Sequence, residues 1–273
     1  MKLSISTLGC CDWSLNKVVG FYKDLGVYGI EIRGIKDTMN PLEMDCFRPE
    51  NEIDTKKYLR ANGMKIVCLD TSCKFDNREF AEKSIPEGKT AIDVASRFEI
   101  PYIRVFGNKI PETGEENRDE IEKLMISSLK ALGDYGAEKN VKVLLETHGN
   151  VCNIENIKNT VVTLSDHPGF GIVWDIAHSD KYYAEDIEEF YDLIKPLICH
   201  VHFKDHFRLP NHENKLTDFG KGEIPIAKIV SLLKKDGYDG YISFEHERKW
   251  HPELPAPEIE FPRFVEYMKQ FDE

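Results

Sequence analysis

The sequence predicts an α/β fold, a single-domain (β/α)8 TIM barrel, and three observations predict it. Eight short β-rich runs recur along the 273 residues. Segments of 3.6-residue apolar periodicity lie between them, so consecutive strands should be parallel and joined by crossover helices. Several runs stop at an acid or an imidazole, and in such a barrel the carboxyl ends of the strands carry the chemistry. The length and a hydrophobic content of 41 % suffice for one large core. No stretch reads as an interdomain linker, so residues 1–273 are expected to form one domain.

The runs, in chain order, are LSIST near residue 5, YGIEIRG near 30, KIVCLDT near 67 and YIRVFG near 104, then VKVLLET near 144, FGIVWD near 172, ICHVHF near 201 and YISFE near 243. Their β-branched and aromatic residues suit a pleated, half-buried surface. The helical pattern is clearest in Ile121, Leu124, Met125, Leu129 and Leu132, and again in Ile226, Ile229, Val230 and Leu233. Asn62-Gly63 and Asp236-Gly237 fall between a helical pattern and the next strand, where a left-handed cap is expected. The stretches from Pro41 to Asn51 and from Phe207 to Pro225 are polar and turn-rich, as substrate-facing loops are.

Composition bounds the function. A formal charge of −12 argues against broad attraction to nucleic acid or to an anionic membrane. A small-molecule partner fits better. The N-terminal MKLSISTLGCCDW has no apolar run of signal-peptide length and no later segment approaches a membrane span, so a cytoplasmic location is expected. Seven cysteines without a C-x-x-C pair signal neither a disulfide framework nor a thiolate zinc site.

Polar residues cluster at the strand ends: Glu31 and Arg33, Asp70, Arg104, Glu146, Asp175, His202 and Glu245. Burying several carboxylates together costs several kcal/mol apiece unless a cation compensates, and a divalent ion aided by Arg104 or Arg33 would do so. Glu146, Asp175, His202 and Glu245 are the expected metal ligands. Three carboxylates and one imidazole suit Mn²⁺ first, with Mg²⁺, Co²⁺ or Zn²⁺ as alternatives. Such an ion leaves positions for a carbonyl and its adjacent hydroxyl, polarises the carbonyl and stabilises an enediolate. Carboxylates on either side would take and return the proton. Glu31, Arg104 and Trp13 are expected to meet the substrate, and Trp250 is a further pocket candidate. His148 could face the pocket, and His200 reads as structural.

At these residues the chain resembles the xylose-isomerase-like barrel superfamily, which contains sugar epimerases, hydroxypyruvate isomerase, inosose dehydratase and endonuclease IV. The resemblance covers nearly the whole chain. It is carried by GIEIR, the Glu of LLETHG, WDIAH, HVHFKD and a closing FE after FGKGEIPI. It implies that Glu146 and Glu245 are the acid/base pair as well as ligands, as in the ketose 3-epimerases. It also implies that His178 and Arg208 bind substrate oxygens, and that the protein forms a homodimer or homotetramer.

The reading is therefore a divalent-metal-dependent sugar isomerase or epimerase. A dehydratase or lyase on a keto-inositol or keto-sugar is the alternative, because it shares the first proton abstraction. A nuclease like endonuclease IV is remote. Its extra histidines are missing from LDTSCKF and RVFGNK, and Asn214 and Leu216 stand where further ligands would be needed. With no glycine-rich phosphate cradle in view, a neutral sugar is the expected substrate.

Overall fold

The computed structural model describes residues 1–107, 109–210 and 213–272. Its barrel strands are β1 (Lys2–Ser6), β2 (Gly29–Ile32), β3 (Lys65–Lys74), β4 (Tyr102–Phe106), β5 (Lys142–Glu146), β6 (Phe170–Asp175) and β7 (Ile198–Phe203). A hairpin follows, β8 (His206–Arg208) and β9 (Asn214–Leu216), and then β10 (Tyr241–Phe244) completes the barrel. The barrel closes in the order β1-β10-β7-β6-β5-β4-β3-β2, with β1 parallel to both β2 and β10. All eight runs anticipated from the sequence are these barrel strands.

The helices are α1 (Leu15–Asp24), α2 (Glu52–Ala61), α3 (Arg78–Arg97), α4 (Arg118–Ala137), α5 (Ile154–Asn156), α6 (Ile176–Tyr183), α7 (Ile187–Ile194), α8 (Ile226–Lys235) and α9 (Pro257–Met268). Local chemistry starts several of them. Ser14 Oγ accepts the Lys17 N–H at α1, and Asn77 Oδ1 accepts the Phe80 N–H at α3. The periodic residues Ile121, Met125, Leu129 and Leu132 of α4 are buried, as are Ile226, Ile229, Val230 and Leu233 of α8. Gly63 and Gly237 have φ of +69° and +72° just beyond α2 and α8, the conformation that stops a helix at glycine.

Two segments depart from the regular pattern. After α5 the chain continues through a π turn and a 3-10 turn to Leu164. Thr160 Oγ1 donates to the Asn156 carbonyl at 2.6 Å and Thr163 Oγ1 to that of Thr160 at 2.5 Å, competing with the helical ladder. The stretch expected as a loop from Phe207 to Pro225 contains most of the antiparallel β8–β9 hairpin, paired from His206↔Leu216 to Arg208↔Asn214. Residues 211 and 212 within that stretch lie outside the described residues.

Apolar side chains such as Ile30, Leu69, Ile103, Val201 and Phe244 belong to the core cluster shared with the helices. The other set of strand residues projects into the barrel, because Glu31 of β2 meets His200 and His202 of β7 although β1 and β10 lie between those strands. Register puts them there. β6 and β7 pair Ile172↔Ile198 and then Val173↔His200, so Cys199 is an extra residue in β7, and Asp175 then lies opposite His202.

Candidate active site

Each expected ligand sits at or just past a strand end and is nearly inaccessible. Glu146 is the last residue of β5 and Asp175 the last of β6. Asp175 is also the N-cap of α6: its Oδ1 accepts the backbone N–H groups of Ala177 and His178 at 2.8 and 3.1 Å. That fixes the carboxylate and leaves Oδ2 for the site. Glu245 follows β10, and its N–H extends the pairing with β7 by donating to the Phe203 carbonyl at 2.9 Å.

His202 is the hub. Its Nδ1 lies 3.1 Å from Glu146 Oε1 and 3.6 Å from Glu245 Oε1, while Nε2 lies 3.1 Å from Glu31 Oε2. The same Glu31 oxygen is 2.6 Å from His200 Nε2. One Glu31 oxygen thus holds two imidazoles, the carboxylate–histidine arrangement that orients metal-ligating rings, while its Oε1 is buried without a hydrogen-bond partner among the described residues. Burial alone would lower the His202 pKa, yet Glu31 and Glu245 hold it well above its ordinary value. Burial would raise Glu146, but Arg104 and His202 hold it well below the usual carboxylate range.

Lys204, two residues beyond His202, was given no role by its residue type. Its ammonium lies 2.8 Å from Asp175 Oδ2, 2.6 Å from Glu245 Oε2 and 2.5 Å from Glu247 Oε1. The only signal for it was its parity with His200 and His202 in HVHFKD, and a Lys just past a strand usually reaches solvent. Burial nevertheless pushes the Asp175 carboxyl up to about 7, against the pull of this ammonium.

The rim has three parts. Arg104 pairs with Asp70 at 3.2 Å and with Glu146 at 3.4 Å, and its guanidinium stands 4.0 Å from the Phe106 ring centroid. Burial still pushes Asp70 up to about 7. His148 and His178 have ring centroids 4.0 Å apart, and burial lowers both, leaving neutral imidazoles. Arg208 of the hairpin is clamped on Asp180 at 2.7 and 3.0 Å, and Asp180 also meets His206 Nε2 at 2.9 Å. Asp180 is a residue the sequence did not single out, and Asp205 was marked only as the last position of HVHFKD, without a role. Asp205 gathers the backbone N–H groups of His206, Gly220 and Gly222 and so fastens the hairpin to the GKG turn.

Two aromatic candidates are placed differently. Trp13 is 4 % exposed and packs edge-on against Phe21 and Phe261, whereas Trp250 is 56 % exposed.

One donor atom from each of Glu146, Asp175, His202 and Glu245 can be chosen so that all lie within 4.8 Å of one another. This donor set fits a divalent ion. The cluster already draws positive charge inward: Lys204 lies 2.8 Å from Asp175 Oδ2, Arg104 Nε 3.4 Å from Glu146 Oε2 and His202 Nδ1 3.1 Å from Glu146 Oε1. A second grouping of Glu31, Asp70, His202 and Glu245 is equally compact. There the Asp70 charge is already met by Arg104 and one Glu31 oxygen by the two histidines. The first set is the one drawn from the ends of four consecutive strands, β5, β6, β7 and β10.

A family model described as a xylose isomerase-like TIM barrel matches residues 19–263. The inosose isomerase of Halalkalibacterium halodurans is 26 % identical over 216 residues, 75 % of this chain and 74 % of that protein. Among solved structures, the IOLI protein with a binding zinc atom is 22 % identical, with a TM-score of 0.78 over 98 % of this chain and 97 % of that one. The probable 3-DHS dehydratase AsbF from Bacillus anthracis is 21 % identical, with a TM-score of 0.75 over 98 % of this chain and 99 % of that one. The two structural likenesses show a shared fold.

Proposed function

Because the chain belongs to the xylose isomerase-like TIM-barrel family, we propose that it is a divalent-metal-dependent isomerase or epimerase of a sugar or keto-inositol. The observation that carries the reading is the convergence of Glu146, Asp175, His202 and Glu245 within 4.8 Å. When bound there, a divalent ion, with Mn²⁺ the first candidate, supplies Lewis-acid polarisation of the substrate carbonyl.

The chain's own residues do the rest. Asp175 and His202 act as ligands, the first fixed by its capping bonds and the second by Glu31. Glu146 and Glu245 are ligands and also the base and acid that remove and return the proton beside the carbonyl. They end strands separated by β6 and β7, so two carboxylates are available to one substrate carbon. His178, Arg104 and Arg208 orient substrate oxygens, with Arg208 preset by Asp180. Trp13 acts from behind, as packing for the loop after β1.

The test is a panel of ketoses and keto-inositols incubated in deuterated water with Mn²⁺, Mg²⁺, Co²⁺ or Zn²⁺ and followed by NMR. Deuterium entering at the carbon beside the carbonyl, with an epimer or isomer as product, is the expected result. Loss of a β-hydroxyl would make the protein a dehydratase. Failure to bind any of the four ions in a calorimetric titration would overturn the proposal.

A further inference from the structure

Arg33 differs from the other buried cations at the barrel mouth. Arg104 is held by Asp70 and Glu146, and Lys204 by Asp175, Glu245 and Glu247. Arg33 is also buried, at 7 % exposure. Yet its guanidinium makes no ion pair among the described residues. Nη2 donates to the Ser72 hydroxyl at 3.0 Å, and Nη1 is buried with no hydrogen-bond partner among those residues. A guanidinium taken out of water without a counter-charge is costly, and a neutral hydroxyl does not cancel its charge.

Position ties this residue to the site. Arg33 lies two residues after Glu31 and its backbone N–H donates to Thr7 Oγ1 at 2.9 Å, which fixes the turn leaving β2. Its charged neighbours are Arg104, Asp70 and Glu245, with the neutral Cys11 thiol also near, so it shares the mouth with one proposed ligand. Lys249, beyond β10, is the other cation beside Cys11, held at 2.8 Å from Asp37. Burial, and after it the proximity of Arg104, brings the Arg33 guanidinium below its ordinary pKa, although Asp70 and Glu245, neither of which forms an ion pair with it, pull the other way.

We infer that Arg33 anchors an oxyanion, a carboxylate or a phosphate, carried by the substrate at a position away from the reacting carbonyl. The substrate class is then an acidic sugar derivative, unlike the neutral sugar expected from the sequence. That expectation came from the lack of a backbone phosphate cradle; a planar guanidinium fork serves the same purpose with one side chain. The inference rests on the isomerase reading only for where the remainder of the substrate lies.

The test compares three four-carbon probes, erythritol, erythronate and erythritol 4-phosphate, by calorimetry on the wild-type chain, R33Q and R33K. Each is measured with Mn²⁺ and again with EDTA, with unfolding midpoints as a control on folding. The wild type should bind at least one anionic probe about tenfold or more tighter than erythritol, the scale of one charge-assisted hydrogen bond. The two anions distinguish carboxylate from phosphate. R33Q should bring the three probes within about twofold of one another, and R33K should fall between, since it keeps the charge and loses the fork. Equal binding of all three by the wild type, no binding of any, or an anion preference that survives in R33Q would overturn the inference. Should R33Q fail to fold, the wild-type comparison and R33K decide. A chain that binds no Mn²⁺ would remove the isomerase reading, and the EDTA series would still decide the question for Arg33.

Discussion

At the scale of single residues, Glu146 and Glu245 are assigned two tasks, and Gln removes the proton chemistry while keeping size. E146Q and E245Q should each lower turnover by about 10²- to 10⁴-fold, the usual worth of a positioned acid or base. Circular dichroism and unfolding midpoints should show both variants folded, and full activity in either would defeat the assignment. His202→Ala should release the metal, which elemental analysis reads directly. Lys204 leads to a different expectation, because its ammonium balances Asp175, Glu245 and Glu247. Lys204→Met should destabilise the chelated protein by about 3–5 kcal/mol, the cost of breaking a buried charge pair, and the Mn²⁺-loaded protein by much less. Equal losses in both forms would show that the ion and the ammonium do not share the same carboxylates. The four expected ligands could be picked out in the sequence because each stands at or near the end of an apolar run, and the structure brings their donor atoms within 4.8 Å of one another. Lys204, Asp180 and the unpaired state of Arg33 were not, because those depend on which charges meet across the barrel.

At the scale of elements, the eight barrel strands were legible because parallel strands covered on both faces are short, dense apolar runs. The β8–β9 hairpin was not. HFR and NKL have three residues each and little apolar content, and they are held by Asp205 and Asp180 from outside the hairpin. The turns after α5 also escaped prediction, because threonine hydroxyls redirect the ladder there. Helix packing supplies an element-scale test. A Cβ on Gly169 would stand 2.0 Å from the Gly133 carbonyl oxygen, where α4 crosses the entrance to β6. Backbone cannot yield as a flexible side chain can, so Gly169→Ala should cost about 1–3 kcal/mol. The midpoint of thermal unfolding should fall by about 2–4 °C for each kcal/mol. Metal content should be unchanged in the folded fraction.

At the scale of the whole molecule, the proposed ligands come from β5, β6, β7 and the end of β10, so an ion held by them would tie four consecutive strands of the closed barrel together. Binding to the folded state alone should raise stability by about 2.7 kcal/mol when free Mn²⁺ is a hundredfold above its dissociation constant. The unfolding midpoint should therefore climb with Mn²⁺ and return on adding EDTA, and a midpoint indifferent to both would refute the site. No helix among the described residues is long and apolar enough to cross a membrane. The extra residue in β7 has a consequence for the phase of the site. Cys199 interrupts the pairing with β6 before His200 and His202 are reached. A β7 that merely slid by one position would turn His200 and His202 outward. With the irregularity placed upstream, one extra residue is absorbed before the histidines, and His202 still arrives opposite Asp175.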